Sequence, residues 1–398
     1  MGRDGFFLPP YFFYLLSPFY FLFKLNPLPS LVAFLFFYWV LFFVISMISL
    51  SKIFDNKVPF WFILVWSFLP GAIAIDRVPW NPLLVPLIFF LLLFLYHLYF
   101  KTRKLIIFFF LSLIYFLGIS FHIESTFYLP FIVLALFRGG KNCLSKKMLL
   151  LFLSFILVFS PIFIFDVRHN FLNLNLILNF GNSAIQEGGL IEVWQNFLSI
   201  VFGFGFSKTV SFVFYLLVLF VSFKFYFYEK DNLKKDILFI LFSILVLPLF
   251  AFLFVYHFRP SEYYFNFSLP VFVLLFSFWF DKFFSTFKLR MIPVFLAILI
   301  LLLKFSLPLY NSDNESIFYK EKVISSLKAV FENRNYDISL DIAEGKDAGF
   351  YYLLSFNNIG YNKKDDSPLV QVVSPSRQNC PINIKAYSLC FNPLDFGW

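Results

Sequence analysis

Asp166, Arg168, His169 and Asn170 fall within five residues, at the end of the apolar run Met148–Phe165. An acid, a guanidinium and an imidazole set that close together are suited to holding an anion and moving a proton. The longest polar stretch between apolar runs follows them and ends at Thr209, where the next begins. Ionisable groups at the mouth of an apolar segment, under its largest loop, mark a site.

Similar sets recur: Arg3 and Asp4; Asp76 and Arg77 with Trp80 and Asn81; His122 and Glu124; His257, Arg259, Glu262 and Tyr263. Each also has a structural reading. Asp76–Arg77 before Val-Pro-Trp-Asn-Pro suits a solvated turn with an interfacial tryptophan. His122 and Glu124, near Gly118 and Pro130, suit a pair that stabilises a bend, and His257 and Arg259 suit anchors to lipid headgroups.

As chemistry, guanidinium groups at a lipid–water boundary fit a phosphate, because the planar fork bonds it bidentately and stays charged. Carboxylates and imidazoles beside them supply a base for a hydroxyl. A reaction that needs both is transfer of a sugar from a lipid phosphate to an acceptor hydroxyl, with an oxocarbenium-like centre and a departing phosphate held by cations. Asp166 and His169 are the catalytic candidates. Arg77, His122, Glu124, Arg168, His257, Arg259 and Tyr263 are the candidates for holding substrate.

The elements that must position these groups are membrane helices. With 398 residues, 60% of them hydrophobic and 24% aromatic, and a mean hydropathy of +0.81, the chain exceeds what one soluble core can bury. The 68 phenylalanines fit a compositional bias and carry no functional meaning. Ten apolar segments suit crossing: 28–51, 58–75, 82–100, 105–120, 123–137, 148–165, 209–228, 237–256, 263–280 and 291–309. Before them, Pro9, Pro10 and Pro18 interrupt a shorter run that suits a helix lying in the interface.

The net charge of +9 reflects topology, not a nucleic-acid partner. Sixteen basic residues lie in the loops at 52–57, 101–104, 138–147, 224–235 and 282–290, against Arg3, Lys24, Arg77, Arg168, Lys208 and Arg259 on the other side. The basic side is therefore expected in the cytoplasm, and the candidate residues on the extracytoplasmic face of the cell membrane. Ten spans then place both ends outside. With no signal sequence to carry the N-terminus across, a further span is expected upstream of Met1.

The expected organisation is a membrane-embedded domain over 1–309 and a small extracytoplasmic α/β domain over 310–398. In the latter, Tyr319–Phe331 and Ala348–Phe356 read as helices, and Asp337–Ile342 and Leu369–Val373 as strands. Of the three cysteines, Cys380 and Cys390 are placed to pair outside, whereas Cys143 falls in a cytoplasmic loop. No Cys-x-x-Cys pair occurs and the four histidines are scattered, so no zinc site is expected. No cofactor is required by the sequence, and a divalent cation stays open.

The segments FFLPPYFFYLLSPFYFLFKLNP (6–27), DRVPWNP (76–82), GISFHIESTFYLP (118–130), SPIFIFDVRHNF (160–171) and RPSEYYFNFSLP (259–270) occur in that order on one side. In this the chain resembles the bacterial polytopic glycosyltransferases of the C superfamily, the protein mannosyltransferase-like and aminoarabinose transferase-like group. The resemblance implies a polyprenyl-phosphate sugar donor, a lipid, glycan or protein acceptor, reaction outside the cell and inversion at the anomeric carbon. It also implies a catalytic aspartate in the first outward loop. That loop follows an initial span which this chain lacks, so the place falls either to Asp4, the only acid before the first span here, or to an aspartate upstream of Met1, in which case the chain as written is expected to be inactive.

Other functions fit the sequence less well. A transporter or flippase for lipid-linked saccharides concentrates ionisable groups and broken helices near the midplane, whereas here they collect at one face. A polysaccharide polymerase or ligase keeps its site outside as well, and a lipid-diphosphate donor would distinguish it.

Overall fold

The computed structural model describes residues 9–54, 57–76, 79–138, 144–175, 208–251, 262–287, 317–331, 336–342, 349–357, 359 and 368–396. Among them, four helices are long and apolar enough to cross a membrane: Pro27–Ile53, Asn81–Thr102, Leu144–Arg168 and Phe265–Lys282. The chain is a helical membrane protein with a small sheet in its C-terminal region. Of the ten segments expected to cross, 28–51, 82–100, 148–165 and 263–280 fall in these four helices, whereas 105–120, 123–137 and much of 209–228 fall in shorter apolar helices. The segment 58–75 is broken at Leu69 into two short helices, and 291–309 lies outside the described residues.

Contacts divide the chain into two units, one of Met1–Leu15 with Leu35–Leu309, the other of Leu16–Phe34 with Tyr310–Trp398. The helices ahead of Tyr310 are α1 (Tyr11–Leu22), α2 (Pro27–Ile53), α3 (Lys57–Phe68), α4 (Pro70–Asp76), α5 (Val85–Thr102), α6 (Leu105–Phe121), α7 (Leu129–Phe137) and α8 (Leu144–Arg168), of which α1 and α2 each run across both units. After these come α9 (Lys208–Tyr228), α10 (Asn232–Ala251) and α11 (Leu269–Phe287). Local chemistry sets several of their ends. Asn26 accepts the Leu28 N–H and Pro27 opens α2 where its missing N–H costs nothing. Asp231 caps α10 through the N–H groups of Leu233 and Lys234. Within α8, Pro161 deprives the Leu157 carbonyl of its helical donor, and the Ser160 hydroxyl replaces it at 3.0 Å.

Burial sorts the long helices. The most apolar windows of the α5 and α11 segments are 72% and 83% buried, whereas those of α2 and α8 are 22% and 11% buried. Helices α5 and α11 are thus the core of this unit, and α2 and α8 offer apolar surface to lipid through side chains such as Phe36 and Phe152. Tyr11 of α1 donates to the Val158 carbonyl midway along α8, so the Pro9–Pro10 helix packs against another helix.

Helix α6 approaches α5 closely at Gly118. A β-carbon there would sit 2.7 Å from Ile88 Cγ2 and 3.2 Å from both Ser125 Cβ and Oγ. Gly118→Ala is therefore expected to cost about 1–3 kcal/mol through overpacking, read as a lower thermal midpoint in detergent.

The second unit carries α12 (Ile317–Phe331), β1 (Asp337–Ile342), α13 (Phe350–Phe356), β2 (Leu369–Ser374), β3 (Ile382–Ile384) and β4 (Tyr387–Cys390). Strands β1 and β2 are parallel, β4 pairs antiparallel with both β2 and β3, and the sheet order is β1-β2-β4-β3. Val323, Leu327 and Phe331 of α12 and Phe350, Leu353 and Leu354 of α13 close over Val370, Val372, Tyr387 and Leu389. A disulfide joins Cys380, ahead of the β3–β4 hairpin, to Cys390 at its end.

Candidate functional site

Three 3-10 segments, Asn81–Leu84, Ile123–Tyr128 and Glu262–Ser268, each run straight into a helix that opens with proline at its second position: Pro86, Pro130 and Pro270. Proline is tolerated there because the first helical N–H groups have no intrahelical acceptor. The three segments meet at one end of the bundle. The Tyr128 hydroxyl, fully buried, reaches the carbonyls of Val85 at 3.3 Å and Phe267 at 3.1 Å, tying all three entries together.

At this junction stands the His122–Glu124 pair. His122 ends α6 in an extended conformation, and its N–H donates to the Gly118 carbonyl. Its Nδ1 lies 3.4 Å from Glu124 Oε1; the imidazole keeps 13% of its surface exposed and the carboxylate side chain none. The backbone N–H groups of Asn266 and Phe267 also face the carboxylate, yet neither oxygen attains full hydrogen-bond geometry. Glu124 thus sits buried in a ring of donors that do not close on it.

The surrounding polar atoms share this condition. Asn266 Nδ2, Ser125 Oγ, Tyr38 Oη and one oxygen of Asp76 are buried without a hydrogen-bond partner among the described residues. Tyr128 lies within electrostatic range of Glu124, and Tyr38 within range of Asp76 and Tyr128. The Asp76 carboxylate accepts from the Trp66 indole at 2.8 Å, and its backbone carbonyl from the Trp39 indole at 3.3 Å. Trp66 is in turn held by Phe42 and Phe62, with ring centroids 4.7 and 5.7 Å away. Buried polar groups short of partners are rare in folded proteins, and here several gather at one end of the bundle.

The expected residues divide accordingly. His122 and Glu124 come together, and Asp76, the neighbour of Arg77, is linked to them only through Tyr38 and Tyr128. Asp166 lies in the last turn of α8, and its two carboxylate oxygens accept the N–H groups of Asn173 at 2.8 Å and Leu174 at 3.2 Å, at the start of the helical turn that follows. Its backbone carbonyl takes the Phe171 N–H at 2.7 Å, in a turn where Asn170 and Phe171 have φ near +55°. His169 stacks on Phe165 with 4.1 Å between centroids, and its Nδ1 meets the Phe165 carbonyl at 2.8 Å. Arg168 is exposed beside it. Tyr263 belongs to the 3-10 segment Glu262–Ser268. Asp4, Arg77, His257 and Arg259 lie outside the described residues. Among the described residues, no group of three or more His, Cys, Asp or Glu gathers as a metal site would require.

A second polar cluster, at the other end of α5, escaped sequence reasoning. Asp236 of α10 accepts from the Tyr96 hydroxyl at 2.7 Å and pairs with Arg138. Lys147, nearly fully buried, donates to the carbonyls of Ala135, Leu136 and Arg138 at 2.9, 2.9 and 2.6 Å, and so caps the end of α7. The Tyr99 hydroxyl also donates to the Arg138 carbonyl, at 2.8 Å. These groups satisfy one another, unlike those around Glu124, and so this cluster binds α5, α7, α8 and α10 into one frame.

No family model matches this chain, and neither does any curated protein or solved structure.

Proposed function

We propose that this protein is an integral membrane glycosyltransferase that moves a sugar from a polyprenyl-phosphate donor to an acceptor hydroxyl at the junction of the three 3-10 segments. The observation that carries the reading is the buried Glu124 carboxylate, 3.4 Å from a partly exposed imidazole and ringed by donors it does not bind fully. A pair needed only to hold a bend would be expected to satisfy its hydrogen bonds, because leaving a buried carboxylate short of them costs stability. Such a pair is suited to proton transfer instead.

In the proposed step the His122 imidazole, oriented by Glu124, takes the proton of the acceptor hydroxyl. The acceptor oxygen bonds to the anomeric carbon from the face opposite the phosphate. The bond from that carbon to the phosphate oxygen breaks, its electron pair leaves with the lipid phosphate, and the configuration inverts. Arg168, with Arg77 and Arg259, neutralises the departing charge. Asp4 stays with this reading through the family resemblance, and Asp166, His169, His257 and Tyr263 through their expected place on the same face; the hydrogen bonds of Asp166 give it a positioning part. The full reading has ten spans, the three-segment junction on the extracytoplasmic side, and the small α/β domain outside. The basic side-chain asymmetry supports that orientation, since Arg103, Arg138 and Lys147 all gather at the opposite end of α5.

Thermal unfolding of the purified protein tests the donor class. A lipid monophosphate at about a hundred times its Kd is expected to stabilise the fold by about 2.7 kcal/mol. Arg168→Lys should lose about 1–3 kcal/mol of that binding, because an ammonium cannot reproduce the bidentate contact. Stabilisation by a lipid diphosphate alone would favour a polymerase or ligase, and an unchanged response in Arg168→Ala would remove that residue from the site.

A further inference from the structure

Helix α13 has two faces of different character. Phe350, Leu353 and Leu354 point into the core, while Tyr351, Tyr352, Ser355 and Phe356 face outward, so the outer face is aromatic and carries no charge. By contrast, α12 in the same unit turns Lys322, Ser325 and Lys328 outward. A surface that meets only water rarely places three large aromatics on a seven-residue helix.

The same unit fixes where this face stands. The Tyr352 hydroxyl donates to the Leu25 carbonyl at 2.5 Å, and the Tyr352 ring packs edge-on against Tyr20 at 5.9 Å. Leu25 lies in the turn between α1 and α2, where Lys24 and Leu25 adopt φ of 52° and 64°. Lys52 stands at the far end of α2. The chain rises about 40 Å from Leu25 to Lys52 at 1.5 Å per residue, close to the thickness of a bilayer with its headgroups, about 40–45 Å. With Lys52 among one set of headgroups, Leu25 falls among the other. The corner itself is apolar and exposed, with Phe21 and Leu22 each about three-quarters accessible.

We infer that the outer face of α13 is a membrane-docking surface: Tyr351, Tyr352 and Phe356 enter the headgroup and upper acyl zone of the leaflet in which α2 begins. Tyrosine suits that zone because its ring is apolar and its hydroxyl polar. Tyr352 and Phe356 lie nearly parallel, with 8° between their planes, and present one broad aromatic edge. Within the same unit, Val32 of α2 is also an exposed apolar side chain. The inference rests on α2 crossing the bilayer and is independent of sugar transfer.

Site-directed spin labelling of the full protein in nanodiscs of phosphatidylethanolamine and phosphatidylglycerol tests this. In a Cys143→Ser background, Tyr351→Cys and Phe356→Cys report on α13, and Lys322→Cys and Lys328→Cys on α12. Resistance of Cys380 and Cys390 to labelling shows that each variant is folded. Nitroxides at 351 and 356 are expected to relax faster with dissolved oxygen than with a water-soluble nickel chelate, and those at 322 and 328 in the opposite order. Equal access of the nickel chelate to all four positions would overturn the inference. So would spin–spin broadening at 351 that appears only when two copies share a disc, since a second copy would then be the occupant.

Discussion

His122→Ala lowers sugar transfer by about 10²–10⁴-fold, the usual contribution of a general base, while leaving the protein folded. The ring keeps 13% of its surface exposed and makes no ring contact with Trp66, so its removal takes away a hydrogen-bonding group and leaves the packing of Phe42 on Trp66 in place. Because the alanine leaves room for a small base, free imidazole should restore part of the lost rate. Glu124→Gln keeps volume but removes the charge that orients the ring, and a smaller loss is expected, chiefly in kcat. Initial rates with a radiolabelled lipid-phosphate sugar check both. Full activity in His122→Ala would leave the pair with a structural role alone.

Asp236→Ala destabilises the membrane unit by about 3 kcal/mol, because it leaves the buried Tyr96 hydroxyl unpartnered and Arg138 without its counter-charge. The guanidinium is 40% exposed and water takes over part of that loss, so the greater share falls on Tyr96. Combining Asp236→Ala with Tyr96→Phe should therefore cost less than the two single changes added together. Thermal midpoints of the four proteins in one detergent check this. Strict additivity would show that the tyrosine and the aspartate do not share their energy.

These two clusters differ in how far a sequence can show them. His122 and Glu124 are two residues apart, and an acid and an imidazole in apolar sequence stand out. Their environment does not, since Asn266 and Phe267 arrive from a distant part of the chain through the 3-10 entry Glu262–Ser268. Asp236 is ninety-eight positions from Arg138, so Arg138 and Lys147 read only as topological charges, although both do structural work. The density of polar residues at Asp166 suggested chemistry, but much of that polarity caps a helix and turns the chain.

The same contrast holds for the fold. Long apolar stretches such as Pro27–Ile53 are legible because hydropathy alone decides them. The break at Leu69 and the proline-led 3-10 entries depend on packing between helices, which hydropathy does not register. In the second unit, β1 and α13 follow their periodicity closely. The β3–β4 hairpin gives little sign of itself, because β3 is three residues long and its turn places Lys385, not glycine or asparagine, at a φ of 55°.

The most direct measurement of the account is turnover by the purified full-length protein in nanodiscs, with a panel of polyprenyl-phosphate hexoses and pentoses and a membrane extract as acceptor. One polyprenyl phosphate is expected to be released for each sugar joined to an acceptor hydroxyl, with the anomeric configuration inverted and the rate dependent on His122. Folded protein that binds these lipids yet releases no polyprenyl phosphate from any donor, or that transfers with retention of configuration, would contradict it.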